Sequence, residues 1–171
     1  MSAKRLLALA MIVVLMVFAI RFISNQVQVV DGVSKEGYII YFASDTDVGL
    51  VPEYRIGRPS VYNRLASLLA GPENPGLSGI FPQGTRIISL QQIDDLLYIN
   101  FSRELITRHY GGSSGELVTV YGLVNTITED PTVKRVQILI EGKLAATIAG
   151  HVDISVPLTR DLSFVLNTNT I

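Results

Sequence analysis

The sequence predicts an α+β domain, a mixed β-sheet with two helices packed on one face, behind an apolar N-terminal segment. Three observations carry this. Val61–Leu69 and Leu117–Ile127 space their apolar residues as helices do. Tyr38–Ala43, Leu50–Ile56, Arg86–Ile93, Leu96–Phe101 and Val136–Glu141 are short runs rich in β-branched, aromatic or alternating residues. Gly57-Arg58-Pro59, Gly71-Pro72 and Asp130-Pro131 break the chain between them. From Pro59 to Glu141 the order is helix–strand–strand–helix–strand.

The chain has 171 residues, 48% hydrophobic, with 14 basic and 15 acidic residues. That length holds one domain and an extension, and is short for most two-domain enzymes. A net charge of −1 gives no reason to expect a nucleic-acid binder. With no cysteine there is no disulfide, thiolate metal site, cysteine nucleophile or lipidated cysteine.

The mean hydropathy of +0.37 is concentrated at the N-terminus. Residues 1–5 form a basic tip with Lys4 and Arg5, and residues 6–23 are apolar apart from Arg21. Eighteen helical residues span about 27 Å, near the thickness of a bilayer core. Arg21 sits at the end of the run, where its stem can snorkel. The small-residue triplet Ala8-Leu9-Ala10 lies too early for a cleavage site, so an uncleaved signal anchor is favoured over a cleaved signal peptide. Lys4 and Arg5 then keep the N-terminus in the cytoplasm and the remainder outside. Removing Lys4, Arg5 and Arg21 leaves 11 basic against 15 acidic residues, near −4, which disfavours an anionic surface as partner. The expected location is the bacterial cytoplasmic membrane, single-pass, with the C-terminal domain on the extracytoplasmic side.

Residues 24–37 read as a linker and residues 38–158 as the domain. Pro52 marks the second strand as an edge, since it donates nothing to a ladder. Pro59 suits the first turn of the following helix, and Gly71-Pro72 its end. Residues 73–84 hold three glycines and two prolines and read as an irregular loop. The two strands around Asp94-Asp95 form a hairpin, with Ile88 and Leu90 paired near Tyr98 and Asn100. Residues 102–110 read as a short helical turn and loop. Ser113 and Glu116 have capping-box spacing, Ser113 bonding the Glu116 N–H and the Glu116 carboxylate reaching back. Leu117, Val120, Tyr121, Val124 and Ile127 mark the buried face of the second helix. Val136, Ile138 and Ile140 face the core, with Gln137, Leu139 and Glu141 outward. Residues 143–155 read as one or two short extended pieces. Residues 159–171 form a C-terminal extension, with Leu162–Leu166 a possible last strand and its end frayed.

Candidate chemistry is sparse. Gly111-Gly112-Ser113-Ser114-Gly115 matches the nucleophile-elbow pattern G-x-S-x-G, but no buried strand precedes it and His151 comes before Asp153, against the usual order. A glycine-rich loop feeding a helix explains it better. His151 and Asp153 share one face of an extended segment, and His109 is the only other imidazole. A metal on these groups has no close-spaced motif behind it. Asp94 and Asp95 fit turn chemistry better than a carboxylate pair for sugar hydrolysis. Tyr54, Tyr62 and Tyr98 are the candidate lining of a ligand groove. By residues alone there is no catalytic, cofactor-binding or metal-ligating set, so the function is expected to be non-enzymatic.

Residues 50–158 carry an ordered set of pieces that resembles the GerMN domain, named after a spore germination and sporulation protein. The pieces are Leu50-Val51-Pro52 with Arg55; Leu68-Leu69-Ala70-Gly71-Pro72; Gly76-Leu77; and Phe81-Pro82 with Gly84-Thr85. Ile99-Asn100-Phe101-Ser102, Gly111–Glu116, Leu123–Glu129, Val136–Gly142 and Gly150–Leu158 follow. The resemblance covers about 110 of 171 residues. It implies an extracytoplasmic domain of bacterial envelope proteins without established catalysis or cofactor. It also implies a helix–strand–strand–helix–strand core like the ring-building motifs of secretion and sporulation channels, in line with the order read from the residues. Asn125–Glu129 and Gly150–Asp153 would be structural, closing helices and turns. The implied role is assembly or protein–protein interaction in the envelope, with self-association or an envelope protein as partner, in sporulation or germination. The alternative is a cell-wall or small-ligand binding module. The chain departs from the spore protein in having no lipoprotein cysteine and one copy of the pattern, so ring building by paired domains does not carry over.

Overall fold

The computed structural model describes residues 36–166. The anchor at 6–23, the tip, nearly all of the linker and the last five residues lie outside them. No described helix is long and apolar enough to cross a membrane.

The described residues form an α+β domain whose strands divide between two sheets. Strands β1 (Gly37–Ser44) and β2 (Leu50–Ile56) are an antiparallel hairpin, and the two-residue β3 (Leu77–Ser78) joins the other side of β1. The second sheet is ordered β4 (Ile87–Ile93), β5 (Leu96–Phe101), β6 (Arg135–Ile140) and β7 (Leu158–Thr159). Strands β5 and β6 are parallel, and the other pairs antiparallel. Hydropathy alone does not separate the sheets, because both supply the same core.

Helix α1 (Val61–Ala70) starts two residues later than Pro59 suggests. Ser60 is its N-cap, accepting the Asn63 N–H at 3.2 Å, so Pro59 precedes the helix instead of entering its first turn. Gly71 ends it at φ +89°. Leu65 and Leu68 are buried while Leu69 looks outward. Helix α2 (Glu104–Thr107) is the expected short turn.

Helix α3 (Ser113–Ile127) differs most from its expected single apolar face. It touches β1, α1, β6 and β7, so it is enclosed. Thr119, Leu123, Asn125 and Thr126 are buried beside Val120, Val124 and Ile127. The expected capping box does not form. Gly112 is the N-cap without a side-chain bond, and Glu116 turns away into the interior.

The β4–β5 hairpin closes on Asp94-Asp95, with Asp94 left-handed at φ +53°. That tight turn makes Ile93 and Leu96 partners, so Leu90 faces Ile99 and Gln91 faces Tyr98, and the ladder shifts at Ile88 between Ile87 and Ser89. The expected pairing of Ile88 and Leu90 near Tyr98 and Asn100 is therefore off by a residue. Residues 143–157 form a loop where extended pieces were expected, and Leu162–Phe164 is a 3₁₀ turn rather than a strand. That C-terminal segment still packs. Leu166 N–H bonds the Leu50 carbonyl at 2.8 Å, and Phe164 stacks on Tyr121 at 4.9 Å. A Cβ at Gly49 would lie 2.7 Å from the Leu166 side chain, so glycine lets this segment approach.

One core joins both sheets and both long helices: Ile40, Phe42, Leu65, Leu68, Ile99, Phe101, Leu123, Ile127 and Ile138. Each such side chain contributes about 1.5–3 kcal/mol by burial.

Candidate functional site

The most organised polar feature is Glu116. Its carboxylate is buried and accepts backbone N–H groups from Ile148 at 2.7 Å, Ala149 at 2.9 Å and His151 at 2.7 Å. Burial would push its pKa up, but the N–H groups of Ala149, His151, Ile148 and Val152 outweigh it and hold the carboxyl below its ordinary value. A charged carboxylate with three donors replaces its lost hydration shell. The loop so held covers β6 beyond its two residues paired with β7. Gln137, expected outward, is buried under it and donates to the Ile154 carbonyl at 2.9 Å.

The N-terminal end of α3 borders the larger described groove, about 530 Å³, between the β1–β2 turn, residues 78–81 and the helix. Val48, Ile80, Phe81, Tyr110 and Val118 make it largely apolar, and Val48 and Tyr110 are well exposed. Its floor is held by a relay. Thr119 donates to the Ile80 carbonyl at 2.7 Å, so its oxygen accepts from His109 Nε2 at 3.0 Å. His109 Nδ1 accepts the Gly111 N–H at 3.1 Å. Both ring nitrogens are thus occupied by the neutral tautomer, and burial lowers the pKa against the pull of Glu116.

The Asn125–Glu129 motif reaches farther than helix closure, the role its resemblance implies. Thr128 does close α3, donating to Val124. Asn125 exchanges two bonds with the Asp161 backbone, and Thr126 accepts the Tyr41 N–H at 2.9 Å. Glu129 accepts from Tyr41 Oη at 2.9 Å and pairs with Arg160. Burial first, and Glu129 next, push the Tyr41 pKa up to about 12. Arg64 donates to the Ile39 carbonyl at 2.8 Å and lies 5.5 Å from the Tyr38 ring centre.

The residues considered for chemistry do not converge. Ser113 is exposed, and His109 bonds Thr119 and Gly111 rather than a serine. His151 is exposed and enters the Glu116 network only through its backbone, while Asp153 binds Ser155 in a local turn. Among the described residues no three His, Asp or Glu side chains gather as a metal would require. Asp95 pairs with Arg135, and Asp94 forms the turn. Tyr62 lines a smaller groove of about 260 Å³ with Leu65, Leu69 and Leu90, whereas neither Tyr54 nor Tyr98 does. Tyr54 lies across Gly37, where any Cβ would collide with its ring.

Sequence reasoning missed Arg64, Thr126 and the true role of Glu116. Two of these left a signal. Arg64 falls on the stripe of Val61, Leu65 and Leu68, and a cation there must bond something in the core. Thr119, Leu123 and Thr126 make a second helical stripe, the mark of a helix enclosed on both sides. Nothing near Glu116 in sequence points to a loop more than thirty residues away.

Residues 39–146 match the family model Germane, described as sporulation and spore germination. No curated protein matches the chain. Among solved structures, a Clostridium perfringens protein described as a lipoprotein is 25% identical with a TM-score of 0.53, over 72% of this chain and 87% of that one. The first GerMN domain of the sporulation protein GerM from Bacillus subtilis has a TM-score of 0.61 at 19% identity, covering 73% of this chain and 98% of that one. The tandem GerMN domains of GerM give 0.60 at 20% identity over 77% of this chain, which spans 48% of the tandem pair.

Proposed function

This chain belongs to the Germane family, sporulation and spore germination, and from that premise we propose that it is a non-enzymatic interaction module of the bacterial envelope. The domain is held outside the cytoplasmic membrane by the apolar segment at residues 6–23 and works by contact with other proteins. Similarity to a C. perfringens protein described as a lipoprotein favours the envelope. One observation carries the reading: the buried polar side chains are spent on this chain's own backbone, while the open grooves are largely apolar. Glu116, Arg64, Thr126 and Asn125 all bond main-chain groups. The large groove presents Val48, Phe81, Tyr110 and Val118. Such surfaces recognise shape and apolar area, and aromatic residues are enriched at protein interfaces.

The test is a photo-crosslinking residue at Val48 or Tyr110 of the full chain in its native envelope, with the same residue at exposed Tyr54 as control. The expected result is a defined protein adduct from the groove positions, lost in a Val118→Asp background that still folds. A hydrolytic turnover abolished by Ser113→Ala, with thermal stability kept, would overturn the reading.

A further inference from the structure

Strand β4 is the outer strand of its sheet, and it carries an unusual edge. Ile87–Ile93 has no charge, proline or lysine, the devices that keep edges apart. Ile88 is 49%, Leu90 38% and Ile93 51% exposed. The ladder shift at Ile88 lies at one end and leaves Ser89–Ile93 regular. The smaller apolar groove, with Tyr62, Ala66 and Leu69 of α1, runs along Leu90 and Ile87. Arg86 and Asp94 bracket the strand with opposite charges.

We propose that β4 binds β4 of a second copy of this chain, antiparallel about a two-fold axis at Leu90. This rests on the interaction role above and names its partner. Backbone direction comes first. A two-residue turn is closed by a hydrogen-bonded pair, here Ile93 and Leu96. Gln91 and Ser89 then also spend their N–H and C=O on β5, and Leu90 and Gln92 turn theirs outward. The phase is corroborated on β5, where the alternate residue Phe101 gives its carbonyl to Glu141 on the β6 side. A Leu90–Leu90 pair is therefore a hydrogen-bonded pair.

Charge supports the antiparallel direction. With Leu90 on the axis, Ser89 faces Gln91, and the Arg86 end of each strand, past the shift at Ile88, comes to the Asp94 end of the other. Moving the axis to Ser89 keeps the backbone phase but draws these opposite charges apart. Arg86 has only a long 3.6 Å contact with Glu104, so it is available. The same symmetry brings the two apolar grooves together beside the Leu90 pair, giving each exposed Leu90 and Tyr62 an apolar neighbour.

The chain has no cysteine, so single cysteines report the register in the full chain in detergent. In a hydrogen-bonded antiparallel pair the Cα atoms lie about 5.5 Å apart, within disulfide reach. Leu90→Cys is expected to give a covalent dimer under mild oxidation, severalfold more than Gln92→Cys or Tyr54→Cys. Asp94→Arg is expected to weaken dimerisation about tenfold by sedimentation, and Arg86→Asp with Asp94→Arg to restore it. Each variant is checked for an unchanged thermal melt. Equal crosslinking at all three positions, or no rescue by the double exchange, would overturn the register. A chain that stays monomeric to near-millimolar concentration would overturn the dimer; groove adducts at Val48 would then still support the wider interaction role.

Discussion

The edges of the two sheets are treated in opposite ways. Beyond its two residues paired with β3, the free side of β1 is stopped by side chains: Arg64 takes the Ile39 carbonyl and Thr126 the Tyr41 N–H. On β2, Pro52 and the Glu53–Arg55 pair break the outer edge, and that pair also grips residues 71–74. Beyond its two residues paired with β7, the outer side of β6 is covered by the loop moored on Glu116. Among the longer described strands, β4 alone is left bare. Where strand pairing would compete with folding, the chain spends buried polar groups to block it. Where the strand points away from the core it spends none, which is how a surface for assembly differs from a surface of the fold.

The largest test of this contrast is Glu116. Replacing it with Ala strips three N–H groups of their acceptor and frees the cover of β6. The expected loss is about 3 kcal/mol or more, or about 10 °C in Tm for a domain this size. Acid should do the same reversibly. The folded pKa lies below the ordinary carboxylate value, so this stability is complete above that value and drains as pH falls through the folded pKa. Urea titrations from pH 7 to about 3 should show the decline below about pH 4.5. Glu116→Gln should flatten it. An unchanged acid limb in Glu116→Gln would mean that other carboxylates, Glu53 among them, carry the effect.

Opening the β1 edge should cost less. Thr126→Val keeps the shape but orphans the buried Tyr41 N–H, and Arg64→Met orphans the Ile39 carbonyl. Each is expected to lose about 1–3 kcal/mol, read by chemical denaturation. Both variants should exchange the Tyr41 or Ile39 region faster in amide hydrogen exchange. Arg64 brings its own offset, because burial lowers its pKa and its Nε has no partner. A loss below about 0.5 kcal/mol in both would show that the blocking groups are dispensable.

His109 is a finer probe of the same edge, since its relay through Thr119 holds Ile80, just past β3. Its folded pKa is lowered, so the domain favours the neutral ring. Stability should be complete above the ordinary value of about 6.5 and fall as pH drops toward the folded pKa. Protonation puts the ring's second proton on Nδ1 and ejects the Gly111 N–H. The expected effect is about 1 kcal/mol between pH 7 and 5, absent in His109→Asn. A full-sized acid effect in that variant would assign it to other groups.

How much of this was legible follows the range of the interactions. Helix α1, the β1–β2 and β4–β5 hairpins and β6 come from local periodicity and turn residues, and their order survives intact. The GerMN pieces read over residues 50–158 located the family whose model matches residues 39–146. The division into two sheets was hidden, because Phe42 and Ile138 look alike in sequence and share one core. Ser113 and Glu116 had ideal spacing for a capping box, but the glycine at 112 took the cap position and Glu116 found stronger donors across the fold. The β4 edge was readable in part: Ile88, Leu90 and Ile93 were plainly apolar, yet only the sheet order shows that nothing covers them.

The smallest stability effect should come from the bare edge, and that smallness is its diagnostic. Leu90→Lys places a charge on a side chain already partly in water, and its outward backbone groups bond nothing in the monomer. Unfolding free energy should change by less than about 0.5 kcal/mol, as for an ordinary surface site. The same substitution sets two like charges at the proposed two-fold axis, so the concentration needed for dimerisation should rise about tenfold or more. A blocking residue such as Thr126 should show the reverse: a large loss of stability with association unchanged at matched folded fraction. If Leu90→Lys instead unfolds the domain, β4 belongs to the fold as β1 does. The contrast between guarded and open edges would then collapse into a single rule of burial.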